Sequence, residues 1–208
     1  MSTISATAVK ELREMSGAGM MDCKKALTEA SGNLEDAIDI LRKTGIAKAQ
    51  KKSGRSAKEG LIFPYIHPGS KLGVLLEINC ETDFVANTDD FKDLCKDISM
   101  HVAASAPMAV TREEISSSVL EREKAIYADQ ARQSGKPENI IEKMTEGRIN
   151  KFYQENVLLE QTFVKDPDKT VSDLITDTVA KLGENIIISR FSRFQLGEKV
   201  NNSAPTES

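Results

Sequence analysis

Between residues 72 and 80, apolar side chains fall on every second position: Leu72, Val74, Leu76, Ile78 and Cys80 alternate with Gly73, Leu75, Glu77 and Asn79. A strand with one buried face requires that period of two, because successive side chains leave opposite sides of the backbone. From residue 91 the period changes. Phe91, Leu94, Cys95, Ile98 and Val102 recur at helical spacing behind Thr88, whose hydroxyl can cap a helix start. The predicted strand and helix are joined by Thr82, Asp83, Phe84 and Val85, which set an acid and a large ring side by side where a chain usually meets water. Pattern alone favours Phe84 as a core side chain folded under the helix, with Asp83 satisfying first-turn amides at the positive end of the helix dipole. The alternative presents both to a partner from a rigid strand and helix.

The helical period also governs the first forty residues. Val9, Leu12 and Met15 follow Ser5 or Thr7 as caps; Cys23, Ala26, Leu27 and Ala30 form a second stripe, and Leu34, Ala37, Ile38 and Leu41 a third. Gly17 and Gly19 separate the first two helices, Gly32 ends the second and Gly45 the third, which predicts a three-helix module. Met20 and Met21 are adjacent, so both cannot enter a small core, and one is expected at the surface. There it is either a polarizable contact for a partner or a partly exposed core residue. The turn at residues 17–19 follows a helix and has no Lys-Ser or Lys-Thr behind it, so it is not a phosphate loop. Residues 46–60 set Lys48, Lys51, Lys52, Arg55 and Lys58 among small residues without aromatic interleaving, and read as a solvated hinge rather than an RNA contact.

Further along, residues 61–67 read as a strand whose Pro64 suits a sheet edge, turned by residues 68–70 into the strand described above to form an antiparallel hairpin. Thr111 and Glu114 have capping-box spacing and open a charged helix to about Gln133. Residues 135–137 stop it ahead of a second helix with Ile141, Met144 and Phe152, giving a helical pair at about 111–155. After a turn at residues 166–167, Thr170 begins a helix with Val171, Leu174, Ile175 and Leu182 inward and Gly183 at its end; residues 186–194 make a third strand. The fold class is therefore α+β. An N-terminal three-helix module and basic linker occupy residues 1–54, and a core of a small three-stranded antiparallel sheet with packed helices occupies residues 55–197. A polar, disordered tail is expected at 198–208.

Composition narrows the function. A chain of 208 residues with 29% charged and 39% hydrophobic positions is ordinary globular material, long enough for one good core and a small satellite. The net charge of −4 argues against a protein built to neutralise phosphates, so no direct nucleic-acid partner is expected. With no basic segment leading into an apolar core near the start, and no run of the ~18 apolar residues a membrane span needs, a cytoplasmic protein without membrane contact is expected. Cys23, Cys80 and Cys95 form neither an even framework nor a Cys-x-x-Cys pair and read as reduced, buried thiols. His67 and His101 lie at no ligand spacing, so no metal and no cofactor is assigned. An enzyme would have to use Cys80 with His67, or Glu81 with Asp83. Cys80 belongs to the buried face and nothing orients His67, so no catalytic residue is assigned either. A third reading, a ubiquitin- or RNA-binding adaptor, rests on the helical module and the basic linker; a three-helix scaffold does not by itself decide function.

Residues 77–87, EINCETDFVAN, closely resemble a signature of the bacterial elongation factor Ts family, and residues 12–27, LREMSGAGMMDCKKAL, resemble another. Two long motifs in order are far more specific than a short fingerprint. Residues 135–137, 147–152, 158–161, 169–171 and 190–197 also look like family segments, so the resemblance covers essentially residues 5–197. Met15 and Ser16 depart from the basic residue and threonine often found there. The resemblance implies a ubiquitin-associated-like N-terminal module that docks on the nucleotide-binding domain of elongation factor Tu through positions matching Arg13, Met20 and Met21. It also implies that Thr82, Asp83, Phe84 and Val85 disturb that partner's magnesium site, promoting guanine-nucleotide exchange in translation elongation. Longer members carry two related core halves where this chain has room for one, which implies a homodimer.

Overall fold

The computed structural model describes residues 4–133, 135 and 137–198. Three helices open the chain: α1 (Ala6–Ser16), α2 (Met20–Glu29) and α3 (Leu34–Gln50). Each starts and stops for a local reason. The Ser5 hydroxyl accepts the Ala8 amide, Gly17 closes α1 in the left-handed region at φ 66°, and the Asn33 carboxamide accepts the Glu35 and Asp36 amides at the head of α3. Val9, Leu12, Cys23, Ala26, Leu27 and Ala37 bury one another in a small cluster of their own. Met15, read from the sequence as part of this stripe, is exposed.

The second cluster is organised by a three-stranded antiparallel sheet of β1 (Glu59–Ile66), β2 (Leu72–Cys80) and β5 (Ile187–Gln195), with β2 in the centre. Pro64 lies on the edge strand, as its missing amide requires. Val74, Leu76, Ile78 and Cys80 all turn to one face, against α5 (Asp89–Ser105), whose Phe91, Leu94, Cys95, Ile98 and Val102 complete the core. Phe91 is fully buried, and burial of a side chain of that size stabilises by about 1.5–3 kcal/mol. Between β2 and α5 stands a single turn, α4 (Asp83–Ala86). After α5 come α6 (Ser117–Arg132) and α7 (Glu138–Asn156), an antiparallel pair, then a two-stranded hairpin of β3 (Thr162–Phe163) and β4 (Asp166–Thr170), and α8 (Val171–Leu182). Helices α5 and α8 pack against each other within the second cluster. The α+β class and the N-terminal helices expected from the sequence are thus present.

Three expectations need correction. Gly45 does not end α3: the helix runs through it to Gln50, and a Cβ at Gly45 would stand 3.4 Å from the Ala180 Cβ on α8. The glycine is an interior helical residue facing α8, with room there for a methyl group, rather than a stop. Residues 46–60 are consequently no hinge. They begin as helix, with Ala49 packed on the second cluster, and continue through a turn in which Asn185 Nδ2 donates to the Arg55 carbonyl at 2.8 Å. Finally, Thr111 opens a short 3-10 turn, Arg112–Glu114, and the Glu114 carboxylate accepts from the Val110 amide; α6 itself starts behind Ser116, whose hydroxyl accepts the Val119 amide. The β3–β4 hairpin escaped notice because a two-residue strand shows no alternation. Apart from Glu198, the tail expected at 198–208 lies outside the described residues.

Candidate docking surface

Beyond Asn79, which pairs with Ile187, the β2–β5 ladder ends, and side chains take over its hydrogen bonds. The Glu184 carboxylate accepts the Glu81 amide at 3.1 Å and the Thr82 amide at 3.0 Å through one oxygen, and the Thr82 hydroxyl at 2.7 Å through the other. In return the Asn185 amide donates to Glu81 Oε1 at 2.7 Å, while Arg55 reaches Glu81 Oε2 at 3.5 Å. The Cys80 thiol donates to the Thr82 carbonyl at 3.1 Å. Thr82 is thereby held extended, at φ −133° and ψ 152°, and its hydroxyl accepts the Val85 amide at the head of α4. At the far end the Thr88 hydroxyl donates to the Val85 carbonyl at 2.7 Å and accepts the Phe91 amide, so one residue closes α4 and starts α5.

A helical residue is rotated by about 100° from the one before it, so a single turn that buries two neighbours must expose the other two. Val85 and Ala86 enter the core; Asp83 and Phe84 face solvent, with Phe84 78% exposed. The reading of Phe84 as a core side chain is therefore overturned. Of the four segment residues singled out in the sequence, Val85 is an anchor, Thr82 is the cap, and Asp83 and Phe84 are available to a partner.

On the N-terminal cluster, α2 buries Cys23, Ala26 and Leu27. Met21 lies about 160° around the helix from Cys23 and is 65% exposed; Met20, in the first turn beyond that stripe, is 49% exposed. Both methionines, rather than one, are at the surface. Arg13 is exposed near the end of α1, where its carbonyl accepts the Gly17 amide. A cleft of about 290 Å³ separates the cluster from α8 and is lined by opposed charges, among them Lys48 with Asp22 at 2.7 Å and Lys169 with Asp177 at 2.6 Å. It includes none of the seven candidate residues.

Cys80, His67 and Glu81, the side chains an enzyme would have to use with Asp83, have other partners. Burial pushes the Cys80 thiol above its ordinary range and the Glu184 carboxylate adds to the shift, which disfavours the thiolate. His67 Nδ1 lies 3.0 Å from the Tyr65 hydroxyl, and Glu81 is occupied by Asn185 and Arg55. Among the described residues, no group of three or more His, Cys, Asp or Glu could hold a metal ion, and no helix is long and apolar enough to cross a membrane. Glu184 and Asn185 were missed in the sequence, and Arg55 was read only as a solvated linker charge. The available signal was a carboxylate and a carboxamide directly before an apolar strand, but only the antiparallel pairing of β2 with β5 reveals what they meet.

An acid and an aromatic ring held in solvent by a fixed turn, on an α+β fold with a separate helical cluster, are the exposed features of this chain that its burial pattern does not use. The family follows from comparison with known sequences. The chain belongs to the elongation factor Ts family, whose model, described as Elongation factor TS, matches residues 2–198. It is 59% identical over 201 residues to Elongation factor Ts of Thermoanaerobacter sp. (strain X514), covering 97% of this chain and 98% of that protein. Against Elongation factor Ts of Geobacter sulfurreducens it is 59% identical over 196 residues (94% of this chain, 91% of that protein), and against that of Fervidobacterium nodosum 60% over 195 (94% and 99%). The resemblance carried by residues 12–27 and 77–87 is thus borne out over nearly the whole chain, and with it a role in translation elongation.

Proposed function

We propose that this chain is a cytoplasmic guanine-nucleotide exchange factor that accelerates GDP release from elongation factor Tu. The observation that carries the reading is the exposed Asp83 and Phe84 on a turn fixed at both ends, with Val85 buried beneath them. A GTPase retains its nucleotide partly through magnesium, a hard cation that keeps several waters and bridges phosphate oxygens to few protein ligands. Phe84 wedges between helices of the partner, and Asp83 approaches the region of the magnesium-bound waters. Displacement suffices, so the chain performs no covalent chemistry. Binding to the nucleotide-free partner and binding of GDP oppose each other by one coupling free energy, which makes exchange reversible and lets nucleotide supply set its direction.

The roles divide between the two hydrophobic clusters. Residues 1–54 dock on the partner's nucleotide-binding domain through Arg13, Met20 and Met21, exposed at the end of α1 and on α2. Residues 55–197 carry the 82–85 segment and form a homodimer through the outer face of the sheet. Support for the dimer is the apolar character of that face: Ile66, Gly73 and Phe194 lie in one row, Pro64, Leu75 and Ser192 in the next, and Ile66 and Phe194 are 63% and 66% exposed. Stopped-flow release of a fluorescent GDP analogue from the cognate elongation factor Tu tests the exchange reading. Saturable acceleration is expected, and none with an active partner would overturn it. Sedimentation tests the dimer, which a purely monomeric mass at complex-forming concentrations would remove.

A further inference from the structure

Glu184 is remote in sequence from the segment it grips. One carboxylate satisfies two consecutive backbone amides, Glu81 and Thr82, and also the Thr82 hydroxyl, at 3.1, 3.0 and 2.7 Å. Those two amides stand beyond the last β2–β5 pair, Asn79 with Ile187, and the last β1–β2 pair, Cys80 with Glu59, where no neighbouring strand receives them, while the Thr82 carbonyl is held separately by the Cys80 thiol and the Ala86 amide. Charge-assisted hydrogen bonds of this kind are about twice as strong as neutral ones, and three of them on two consecutive residues, two of those on Thr82, define the orientation of that backbone as well as its position. The Thr82 hydroxyl is the joint: it donates to Glu184 and at the same time accepts the Val85 amide that heads α4.

From this geometry we infer that Glu184 is a positioning residue for exchange, an inference resting on the exchange reading above. It fixes the exit angle of α4 so that Asp83 and Phe84 project in one direction before any partner arrives. Its backbone grip is mirrored by Glu81, which accepts the Asn185 amide, so the residues just ahead of β5 and those just after β2 hold each other reciprocally. Misplacing a reacting or wedging group by about 1 Å can cost up to about a hundredfold in rate, whereas surface affinity contributed elsewhere is untouched.

The test compares wild type, Glu184→Ala and Glu184→Gln in two measurements. Amide hydrogen exchange on the free protein reads the grip itself. Glu184→Ala is expected to accelerate exchange at Glu81 and Thr82 by about tenfold or more while amides inside β2 keep their protection. Stopped-flow GDP release reads the consequence: the plateau rate falls by about tenfold with the half-maximal concentration within about twofold of wild type. Glutamine keeps a carbonyl oxygen for the backbone amides and can turn its NH₂ to the Thr82 hydroxyl, which accepts as well as donates, so Glu184→Gln restores most of the plateau. A wild-type plateau retained by Glu184→Ala, in an assay where Asp83→Ala/Phe84→Ala is inactive, overturns the positioning role and leaves the exchange reading standing. Equal losses in both Glu184 variants, with general loss of amide protection, also overturn it in favour of a merely structural role. Absence of acceleration by wild type overturns the exchange reading, and the functional inference with it, irrespective of the amide result.

Discussion

The two candidate contact regions are built on opposite principles. On α2 the methionines are exposed by helix geometry alone: Gly19 supplies no side-chain cap, and Met20 and Met21 keep flexible thioethers free to adapt. The 82–85 segment is held by bonds from Cys80 of β2, from Glu184 ahead of β5 and from Thr88 at the head of α5, and its exposed ring has a short side chain of only two torsions on a fixed backbone. An adaptable surface suits docking, where affinity accrues over area. A fixed wedge suits displacement, where the direction of a push matters. The difference yields separable kinetic signatures.

The largest expected effect follows from the fixed region. Asp83→Ala with Phe84→Ala leaves the fold intact, because both side chains face solvent, and lowers the plateau rate of GDP release by about thirtyfold to a thousandfold, in line with the ~2–4 kcal/mol a desolvated aromatic anchor can supply. An unchanged plateau would remove the segment from the mechanism. Next, replacing Met20 and Met21 by Ala, or Arg13 by Ala, raises the half-maximal concentration by about tenfold and leaves the plateau alone, as loss of uniform binding does. If these variants lower only the plateau, the contrast between docking and wedge is wrong.

How much of this was legible in the sequence depended on the range of the signal. The β2 alternation, the α5 stripe and the Thr88 and Thr170 caps are local, and each was readable because period and cap chemistry act within a few residues. Gly45 was misread because a glycine after a helical stripe signals a stop, whereas here the helix continues and packs Ala49 on the second cluster, a long-range contact with no local signal. Phe84 was ambiguous for a related reason. A single helical turn is too short to show periodicity, and its exposure is decided by Val85 and Ala86 taking the inward places. Glu184 was invisible: its effect on Thr82 spans 102 residues and exists only through strand pairing.

The Gly45 correction bears on the comparison, since a rigid α3 fixes the docking cluster against the core where a hinge would free it. Gly45→Ala discriminates. In an α-helix interior with room for the new methyl, alanine is favoured over glycine by about 0.8–1 kcal/mol, so a small rise in unfolding free energy is expected by denaturant titration. A Cβ contact of 3.4 Å with Ala180 is ordinary packing and leaves that gain largely intact. A marked loss of stability, as at a glycine terminating a helix in the left-handed region, would restore the hinge.

Acid offers the mildest way to separate the two clusters, because the larger one contains a buried imidazole and neither histidine belongs to the smaller. His101 Nε2 donates to Gln161 Oε1 at 2.9 Å and Nδ1 accepts the Val164 amide at 3.3 Å, a pairing that requires the neutral ring. Burial lowers its pKa below the ordinary 6.5, against a smaller opposing effect of the Gln161 bond. The unfolded chain therefore binds the proton more readily than the fold. The stabilisation is complete above pH 6.5 and is lost as pH falls through the lower folded value. Between pH 7.5 and 5.5, amide protection at Val164 should decline while that of the α1–α3 cluster holds, and His101→Gln should flatten the decline. Protection that falls equally in both clusters would mean that the docking region depends on the core for its stability, and the two surfaces would then have to be treated as one cooperative unit.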